Sequence, residues 1–237
     1  MPVVLGIDTA TSYLSVAVTA PGEEPLERIV GPEPGGRPRH ATALMPTVEE
    51  LVGEAGGWER IELIGVGVGP GTFTGLRIGI ATARALAQAR ELPIAPVGSL
   101  AALAAGMAAD HPGAGPYLAV LDARRGEAFA ALYDEAGEEL WAPMVAPPER
   151  LAEAVRGLGA PPLAAGDGAV RFSEVLESEG ARVLDRADAA HLVRARQVCR
   201  LATAASAGPP ESIEPTYLRR PDAELWRERD RGRSAHG

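Results

Sequence analysis

The chain contains no lysine: all 23 of its basic residues are arginine, against 32 aspartate and glutamate residues, for a formal net charge of −9. A Walker-type phosphate loop and a Schiff-base enzyme each need a lysine side chain, so its absence argues against both kinds of site. The net negative charge argues against direct electrostatic binding of nucleic acid.

Cysteine and aromatic residues are also scarce. The single cysteine, Cys199, cannot form an intramolecular disulfide or build a structural zinc site, and aromatic residues make up only 4% of the chain. The longest apolar stretch, residues 97–109, is rich in alanine and too short to span a bilayer. No positively charged leader precedes an apolar core at the N-terminus, so we expect no signal peptide, no membrane contact and a cytoplasmic protein.

Hydrophobic periodicity predicts an alternation of strands and helices along the chain. In the first half we expect strands at 3–7, 13–18, 26–30 and 61–68. We expect helices at 41–52 and 72–90, and a third, alanine-rich helix that ends near Asp110. In the second half we expect strands at 119–122, 127–133, 140–145 and 163–165, and helices at 149–156, 170–178 and 187–205.

Both halves begin with the same pattern. Asp8 and Asp122 each end a first strand, and a second strand and a Gly-Glu-Glu hairpin follow each of them. Two acidic strand ends could agree by chance, but the length of the parallel favours a duplicated unit. The predicted fold class is α/β, with two duplicated domains, each a mixed sheet flanked by helices. We expect a first domain at 1–98, completed by part of 190–218, a smaller second domain at 99–190, and a flexible charged tail at 219–237.

A carboxylate followed by hydroxyl side chains in a turn can hold a metal–phosphate group, as in actin-like ATPases and sugar kinases. Asp8, Thr9 and Thr11 form such a turn, and Asp122 would face it from the second half. Two bulky arginines follow Asp122, where a phosphate loop needs small residues. These four residues are therefore a possible vestigial phosphate site, and an actin-like ATPase or kinase using Asp8 and Asp122 remains an alternative.

A glycine-rich turn at 65–71 precedes the helix 72–90. Its spacing does not match a dinucleotide-binding fingerprint, although free amides at a helix N-terminus could bind an anion. The helix carries a small residue at every fourth position: Gly75, Gly79, Ala83 and Ala87. Such a row lets another helix approach closely, either within the same domain or in a second subunit.

The four histidines lack the spacing of a metal site. His40 opens the first helix, but the residue four positions on is Leu44, which cannot coordinate a metal. We expect His40 to be a cap or surface residue, and we predict no metal and no catalytic residue in this chain.

The stretch Gly69-Pro70-Gly71-Thr72-Phe73-Thr74-Gly75-Leu76-Arg77-Ile78-Gly79 resembles a specific motif of the bacterial TsaB (YeaZ) family. Gly6-Ile7-Asp8-Thr9, Asp122-Ala123-Arg124-Arg125 and Pro215-Thr216-Tyr217-Leu218-Arg219 extend the resemblance over residues 1 to about 220. The resemblance implies an actin-like (ribonuclease H-like) fold. It also implies a role in making threonylcarbamoyladenosine in tRNA. Because actin-like proteins need no phosphate-loop lysine, the missing lysine does not exclude ATP in this fold.

The resemblance further implies a non-catalytic scaffold that forms a heterodimer with the transferase TsaD through N-domain helices and supports binding of the ATPase TsaE. It implies a homodimer when the chain is alone, contact with tRNA only through the complex, no cofactor in the isolated chain, and ATP or ADP at a joint site. A metallopeptidase-like protein is a weaker alternative. The expected partner interface comprises Ala41, Leu44, Met45, Val48 and Leu51 on the first helix and Thr74, Gly75, Ile78, Gly79, Thr82, Ala83 and Leu86 on the second.

Overall fold

The first of two sheets is built from residues 4–98. In the computed structural model, which describes residues 1–219, its strands are β1 (Val4–Asp8), β2 (Leu14–Thr19), β3 (Leu26–Val30), β4 (Leu63–Gly69) and β5 (Ile94–Gly98). They lie in the order β3-β2-β1-β4-β5. The strands β3, β2 and β1 pair antiparallel, whereas β1, β4 and β5 pair parallel.

The second sheet repeats this connectivity. Its strands are β6 (Tyr117–Arg124), β7 (Glu127–Tyr133), β8 (Glu139–Ala146), β9 (Leu163–Ala165) and β10 (Arg182–Val183), in the order β10-β9-β6-β7-β8. The pairs β6–β7 and β7–β8 are antiparallel, and the pairs β6–β9 and β9–β10 are parallel. The predicted α/β fold of two mixed sheets flanked by helices is thus confirmed.

Helices cover both faces of each sheet, so that the molecule is layered. They are α1 (His40–Glu54), α2 (Phe73–Arg90), α3 (Ser99–Asp110), α4 (Pro148–Arg156), α5 (Asp167–Arg171), α6 (Ser173–Ser178) and α7 (Ala195–Ala202). The helices α1 and α2 pack on the outer face of the first sheet, and α4, α5 and α6 pack on the outer face of the second. A shared apolar core around α3 and α7 fills the space between the sheets.

The side chains of β1 show why its sequence forms a buried strand. Leu5 and Ile7 point into the core with α1 and α2, whereas Val4 points into the core with α3 and α7. Because successive side chains alternate across a strand, a continuous apolar run can serve two cores. Gly6 lies against α7, where a Cβ would be 2.6 Å from both the Ala195 carbonyl oxygen and Cys199 Sγ.

The N-terminus of α7 is capped by side chains of the first sheet. Ser15 Oγ accepts a hydrogen bond from the Ala195 amide (2.8 Å), and Glu27 Oε1 accepts one from the Arg196 amide (3.1 Å). Glu27 also forms an ion pair with Arg194 at 2.6 Å. A carboxylate at a helix N-terminus satisfies free amides and complements the helix dipole. These contacts fix the C-terminal part of the chain to β2 and β3.

Some predicted elements differ from the structure. The expected helix at 187–205 is too long: only α7 (Ala195–Ala202) is an α-helix. A 3-10 turn (Ala189–His191) precedes it, because Asp188 caps that turn through the Ala190 amide and Leu192 is extended. The expected helix at 170–178 is divided into α5 and α6 at Phe172. The strands β5 and β10 were not predicted.

The domain boundaries stay a prediction, and residues 220–237 of the expected tail lie outside the described residues. None of the helices in residues 1–219 combines the length and apolar character that a bilayer span requires.

The close approach of β1 to α7 predicts opposite effects for two glycine-to-alanine substitutions. Gly6→Ala should lower the free energy of unfolding by roughly 1–3 kcal/mol, because its methyl group overlaps α7. Gly106→Ala, in α3 where no atom lies within 4 Å of an added Cβ, should raise it by about 0.5–1 kcal/mol. Urea unfolding of both variants measures the difference, and a Gly6→Ala variant as stable as the wild type would contradict the packing described.

Candidate functional site

The carboxylate of Asp8 lies where β1, β4 and α3 meet. Its Oδ1 accepts a hydrogen bond from the Ala10 amide (2.9 Å), and its Oδ2 accepts one from the Ser99 hydroxyl (2.7 Å). Gly67 on β4 leaves the space for this carboxylate, since a Cβ there would lie 2.0 Å from Asp8 Oδ2. Asp8 therefore links three elements of the first half.

Burial determines the chemistry available to Asp8. Only 2% of the residue is exposed. This burial raises the pKa of the Asp8 carboxyl to about 6, although the hydrogen bonds from Ala10 and Ser99 lower it. A ligand of a metal–phosphate group must offer accessible oxygen atoms. The Asp8 oxygens are enclosed by their own chain, so their observed contacts are structural.

The two threonines of the candidate phosphate site are likewise engaged within the chain. The Thr9 hydroxyl donates a hydrogen bond to the Gly75 carbonyl oxygen on α2 (2.8 Å). The Thr11 hydroxyl accepts one from the Tyr13 amide (3.1 Å). Both threonines are buried. The Thr9 hydroxyl holds the turn after β1 against α2, and the Thr11 hydroxyl stabilises the turn itself.

Asp122 is neutralised by two arginines. Its Oδ1 accepts a hydrogen bond from the Arg124 amide (2.8 Å), and its Oδ2 pairs with the guanidinium groups of Arg124 (3.1 Å) and Arg171 (2.8 Å). Arg124 and Arg125 both adopt left-handed backbone conformations, with φ of 64° and 56°, at the tip of the β6–β7 hairpin. Arginine is an uncommon choice there, because glycine and asparagine adopt this conformation at lower cost. The hairpin is therefore not a glycine-rich phosphate loop.

Asp8 and Asp122 were expected to face each other across a cleft between the two halves. A cleft of about 700 Å³ between the two halves is lined by side chains that include Thr11, Tyr13, Arg171 and His191. Neither of the two aspartates is among its lining residues. Within residues 1–219, no group of three or more His, Cys, Asp or Glu side chains is placed to hold a metal ion. Each carboxylate oxygen of Asp8 and Asp122 accepts a hydrogen bond or forms an ion pair within the chain.

Three residues that support these aspartates were not singled out from the sequence: Ser99, Asp167 and Arg171. Asp167 Oδ1 accepts a hydrogen bond from the Asp122 amide (2.9 Å), and burial, together with the charge of Asp122, raises the pKa of Asp167. The available signal was Gly166-Asp167-Gly168, a turn that directly follows β9. Nothing in the sequence signals the pairing of Arg171 with Asp122, because 49 residues separate them.

His40 is buried, so the expectation of a cap or surface residue was wrong. Its Nε2 lies 3.3 Å from the Tyr13 carbonyl oxygen, and its Cε1 lies 3.2 Å from the position that a Cβ on Gly75 would occupy. Burial lowers the pKa of His40, against the hydrogen bond to Tyr13. His40 thus fills the space between α1 and α2.

The row of small residues on α2 packs inside the chain. A Cβ on Gly75 would lie 2.1 Å from the Thr9 carbonyl oxygen, and one on Gly79 would lie 2.2 Å from Thr9 Oγ1. Ala83 and Ala87 are fully buried. Of the two interpretations of this row, the structure therefore favours packing within the domain.

The twelve expected interface residues divide by burial. Six pack within the chain and are not available at its surface: Leu44, Val48, Leu51, Gly75, Gly79 and Ala83. The other six are exposed or half-buried: Ala41 and Met45 on α1, and Thr74, Ile78, Thr82 and Leu86 on α2. We call these six residues the pairing face. The four residues on α2 follow one another at intervals of four, so they form a single row along the helix.

Comparison with protein families matches residues 30–225 to the model of TsaD, tRNA N6-adenosine threonylcarbamoyltransferase. The chain is 36% identical over 139 residues to the tRNA threonylcarbamoyladenosine biosynthesis protein TsaB of Escherichia coli, a region covering 58% of each chain. It is 33% identical over 132 residues to TsaB of Bacillus subtilis, covering 55% of this chain and 54% of the relative. The aligned regions span just over half the length of these curated relatives.

Among solved structures, YeaZ from Pseudomonas aeruginosa superposes with a TM-score of 0.77 and 33% identity, over 92% of this chain and 100% of that chain. A ROK hexokinase from Thermus thermophilus superposes with a TM-score of 0.51 and 16% identity, over 85% of this chain and 99% of that chain. The second likeness is one of fold alone.

The buried Asp8 predicts a pH dependence of stability. Its pKa of about 6 lies above the ordinary value of 3.8 for an aspartate, so between these values the folded state binds a proton that the unfolded state has released. The free energy of unfolding should therefore fall as the pH rises between about 4 and 6. Asp8→Asn should flatten this part of the profile, as measured by urea unfolding across the range.

Glu49→Gln, which changes an exposed carboxylate on α1, is the matched control and should keep the slope of the wild type. An unchanged slope in Asp8→Asn would show that another group causes the dependence.

Proposed function

The chain belongs to the TsaD family, on its TsaB (YeaZ) branch, and we propose that it is a non-catalytic subunit that pairs with a TsaD transferase to make threonylcarbamoyladenosine in tRNA. In this role the chain activates its partner by binding it and contacts tRNA only through the complex. We further propose that TsaE joins the pair, that the chain forms a homodimer when alone, and that the complex works in the cytoplasm.

The pairing face is the observation that carries this proposal. The helices α1 and α2 are 15 and 18 residues long, and they pack side by side on the outer face of the first sheet. Their accessible residues include Met45, which is 38% exposed, the exposed Thr74 and the half-buried Ile78 and Thr82. Small and apolar side chains let a helix pair of a partner approach closely.

The contacts of Asp8 and Asp122 at the candidate phosphate site support a non-catalytic role. Asp8 is enclosed between β1, β4 and α3, and Asp122 is paired with two arginines. These partners support the proposal that neither carboxylate holds a metal–phosphate group. Any ATP or ADP is therefore proposed to bind at a joint site, to which the partner contributes residues.

Substitutions on the pairing face test the proposal. Met45→Arg and Thr74→Arg each place a charge on this face, and each should weaken binding to the TsaD protein of the same organism at least 30-fold, a loss of about 2 kcal/mol. Isothermal titration calorimetry with the two purified proteins measures the affinity. Circular dichroism and urea unfolding confirm that the variants fold.

Gly53→Arg is the control on the same helix, because Gly53 is exposed and has no atom within 4 Å of an added Cβ. It should bind like the wild type. Undiminished binding of both pairing-face variants, or no binding by the wild type, would refute the proposal.

A further inference from the structure

The segment that follows α7 crosses from the first half of the molecule to the second. At its start, Gly208 and Ile94 of β5 exchange two backbone hydrogen bonds (2.9 and 3.3 Å). At its end, Arg219 Nη1 donates a hydrogen bond to Glu127 Oε2 of β7 (2.9 Å). The segment is therefore attached to both sheets. We call residues 208–219 the C-terminal strap.

Three contacts fix the middle of the C-terminal strap to the first half. Ile213 is buried in the core with α1 and α2. The Thr216 amide donates a hydrogen bond to the Val68 carbonyl oxygen in β4 (2.7 Å). The centroid of the Tyr217 ring lies 5.4 Å from that of Phe73, the first residue of α2. The strap therefore has a fixed path as far as the start of α2, where the row of the pairing face on that helix begins.

The last contact of the C-terminal strap reaches the β6–β7 hairpin. Glu127 is the first residue of β7, and its cross-strand partner is Arg124, the last residue of β6. Arg125 and Gly126 lie between the two strands and form the tip of the hairpin. The strap therefore contacts the second half at the place where the chain reverses direction.

The backbone at this tip has an uncommon conformation. Arg124, Arg125 and Gly126 have φ values of 64°, 56° and 80°, so three successive residues are left-handed. The Cβ of an arginine makes this region less favourable than it is for glycine. Such a conformation persists where surrounding contacts hold it. Asp122 supplies one of these contacts, because it accepts a hydrogen bond from the Arg124 amide (2.8 Å).

We propose that the C-terminal strap holds the β6–β7 hairpin in this left-handed conformation and couples it to the start of α2. The ion pair between Arg219 and Glu127 fixes the first residue of β7. When the ion pair opens, the tip relaxes toward commoner backbone conformations, and the Arg124 side chain is released from Asp122.

The exposure of the ion pair allows it to act as a reversible latch. The Arg219 side chain is 27% accessible and the Glu127 side chain is 34% accessible. An ion pair this exposed contributes little to the overall stability of a protein. It can therefore open and close while both sheets stay folded.

The C-terminal strap gives the chain a route between its two halves. It passes Phe73, which precedes Thr74 of the pairing face, and it ends at the hairpin of the second sheet. A contact that fixes Phe73 and Tyr217 would also restrict Arg219, two residues farther along, and so favour the closed latch. The coupling lies within one chain, so it does not depend on the proposed function.

Amide hydrogen exchange of the full chain, followed by NMR, tests the proposal. Arg219→Gln removes the ion pair and should raise the exchange rates of residues 122–128 about two- to fivefold, the effect of losing one partly exposed ion pair. Tyr217→Ala acts from the first half and should raise the same rates about twofold, within that limit. The double variant should exchange no faster than Arg219→Gln alone, because the Tyr217 ring acts through Arg219.

The turn between β7 and β8 is the internal control, because it lies at the opposite end of β7. It also contains a left-handed glycine, Gly137, and an aspartate, Asp134, that accepts hydrogen bonds from two amides. Exchange at residues 134–138 should match the wild type in every variant, which separates release of the latch from a general loss of stability.

Arg90→Gln is the matched arginine control, because Arg90 lies at the other end of α2, above the Trp58 ring. It should leave both turns unchanged. Wild-type exchange at residues 122–128 in Arg219→Gln or in Tyr217→Ala would overturn the proposal. An equal rise at both turns, or effects that add in the double variant, would overturn it as well.

Discussion

The close packing of the turn after β1 against β4, α2 and α3 is the constraint on which the first half of the molecule depends. Three glycines make it possible: Gly67 leaves space for the Asp8 carboxylate, and Gly75 and Gly79 let α2 approach Thr9. At each position a Cβ would lie no more than 2.2 Å from a neighbouring oxygen atom. A larger side chain at Gly75 or Gly79 would therefore push α2 away from Thr9, and one at Gly67 would displace the Asp8 carboxylate.

In this packing, the polar side chains that could otherwise take part in a reaction form hydrogen bonds within the chain. The Asp8 carboxylate and the Thr9 hydroxyl are hydrogen-bonded to Ser99, Ala10 and Gly75. In the second half, Asp122 is held between Arg124 and Arg171. The outer surface of α1 and α2 includes exposed residues such as Met45 and Thr74. A protein with this arrangement is suited to binding a partner, and the proposed function places that binding on this surface.

Sequence patterns predicted much of the fold because long periodic segments leave little ambiguity. The helix expected at 72–90 begins one residue later and ends at Arg90, and the duplication identified through Asp8 and Asp122 corresponds to two sheets of the same connectivity. The strands β5 and β10 were missed. Each is short, and β5 contains Pro96, which disfavours a strand prediction. The helix expected at 187–205 is interrupted because Asp188 caps a 3-10 turn. Hydrophobic periodicity does not reveal such a cap.

The candidate site was less predictable, because its meaning depends on contacts between distant residues. The row from Gly75 to Ala87 suggests close helix packing, but only the fold shows that Thr9, 66 residues from Gly75, fills that space. The fold likewise shows that six of the twelve expected interface residues are buried and six are accessible, a division that the sequence did not predict. The packing of the segment 208–217 against α2 was not predicted, since that segment has no strong periodicity and meets α2 only in three dimensions.

The central claim is that this chain contributes surface contacts and no chemistry of its own. The most direct test is threonylcarbamoyladenosine formation in a system reconstituted from purified components, comparing Asp122→Asn with the wild type at saturating partner concentrations. The substitution removes the carboxylate charge while keeping the size of the side chain. The account predicts a rate within twofold of the wild type, whereas a hundredfold loss in a folded variant that still binds its partner would contradict it.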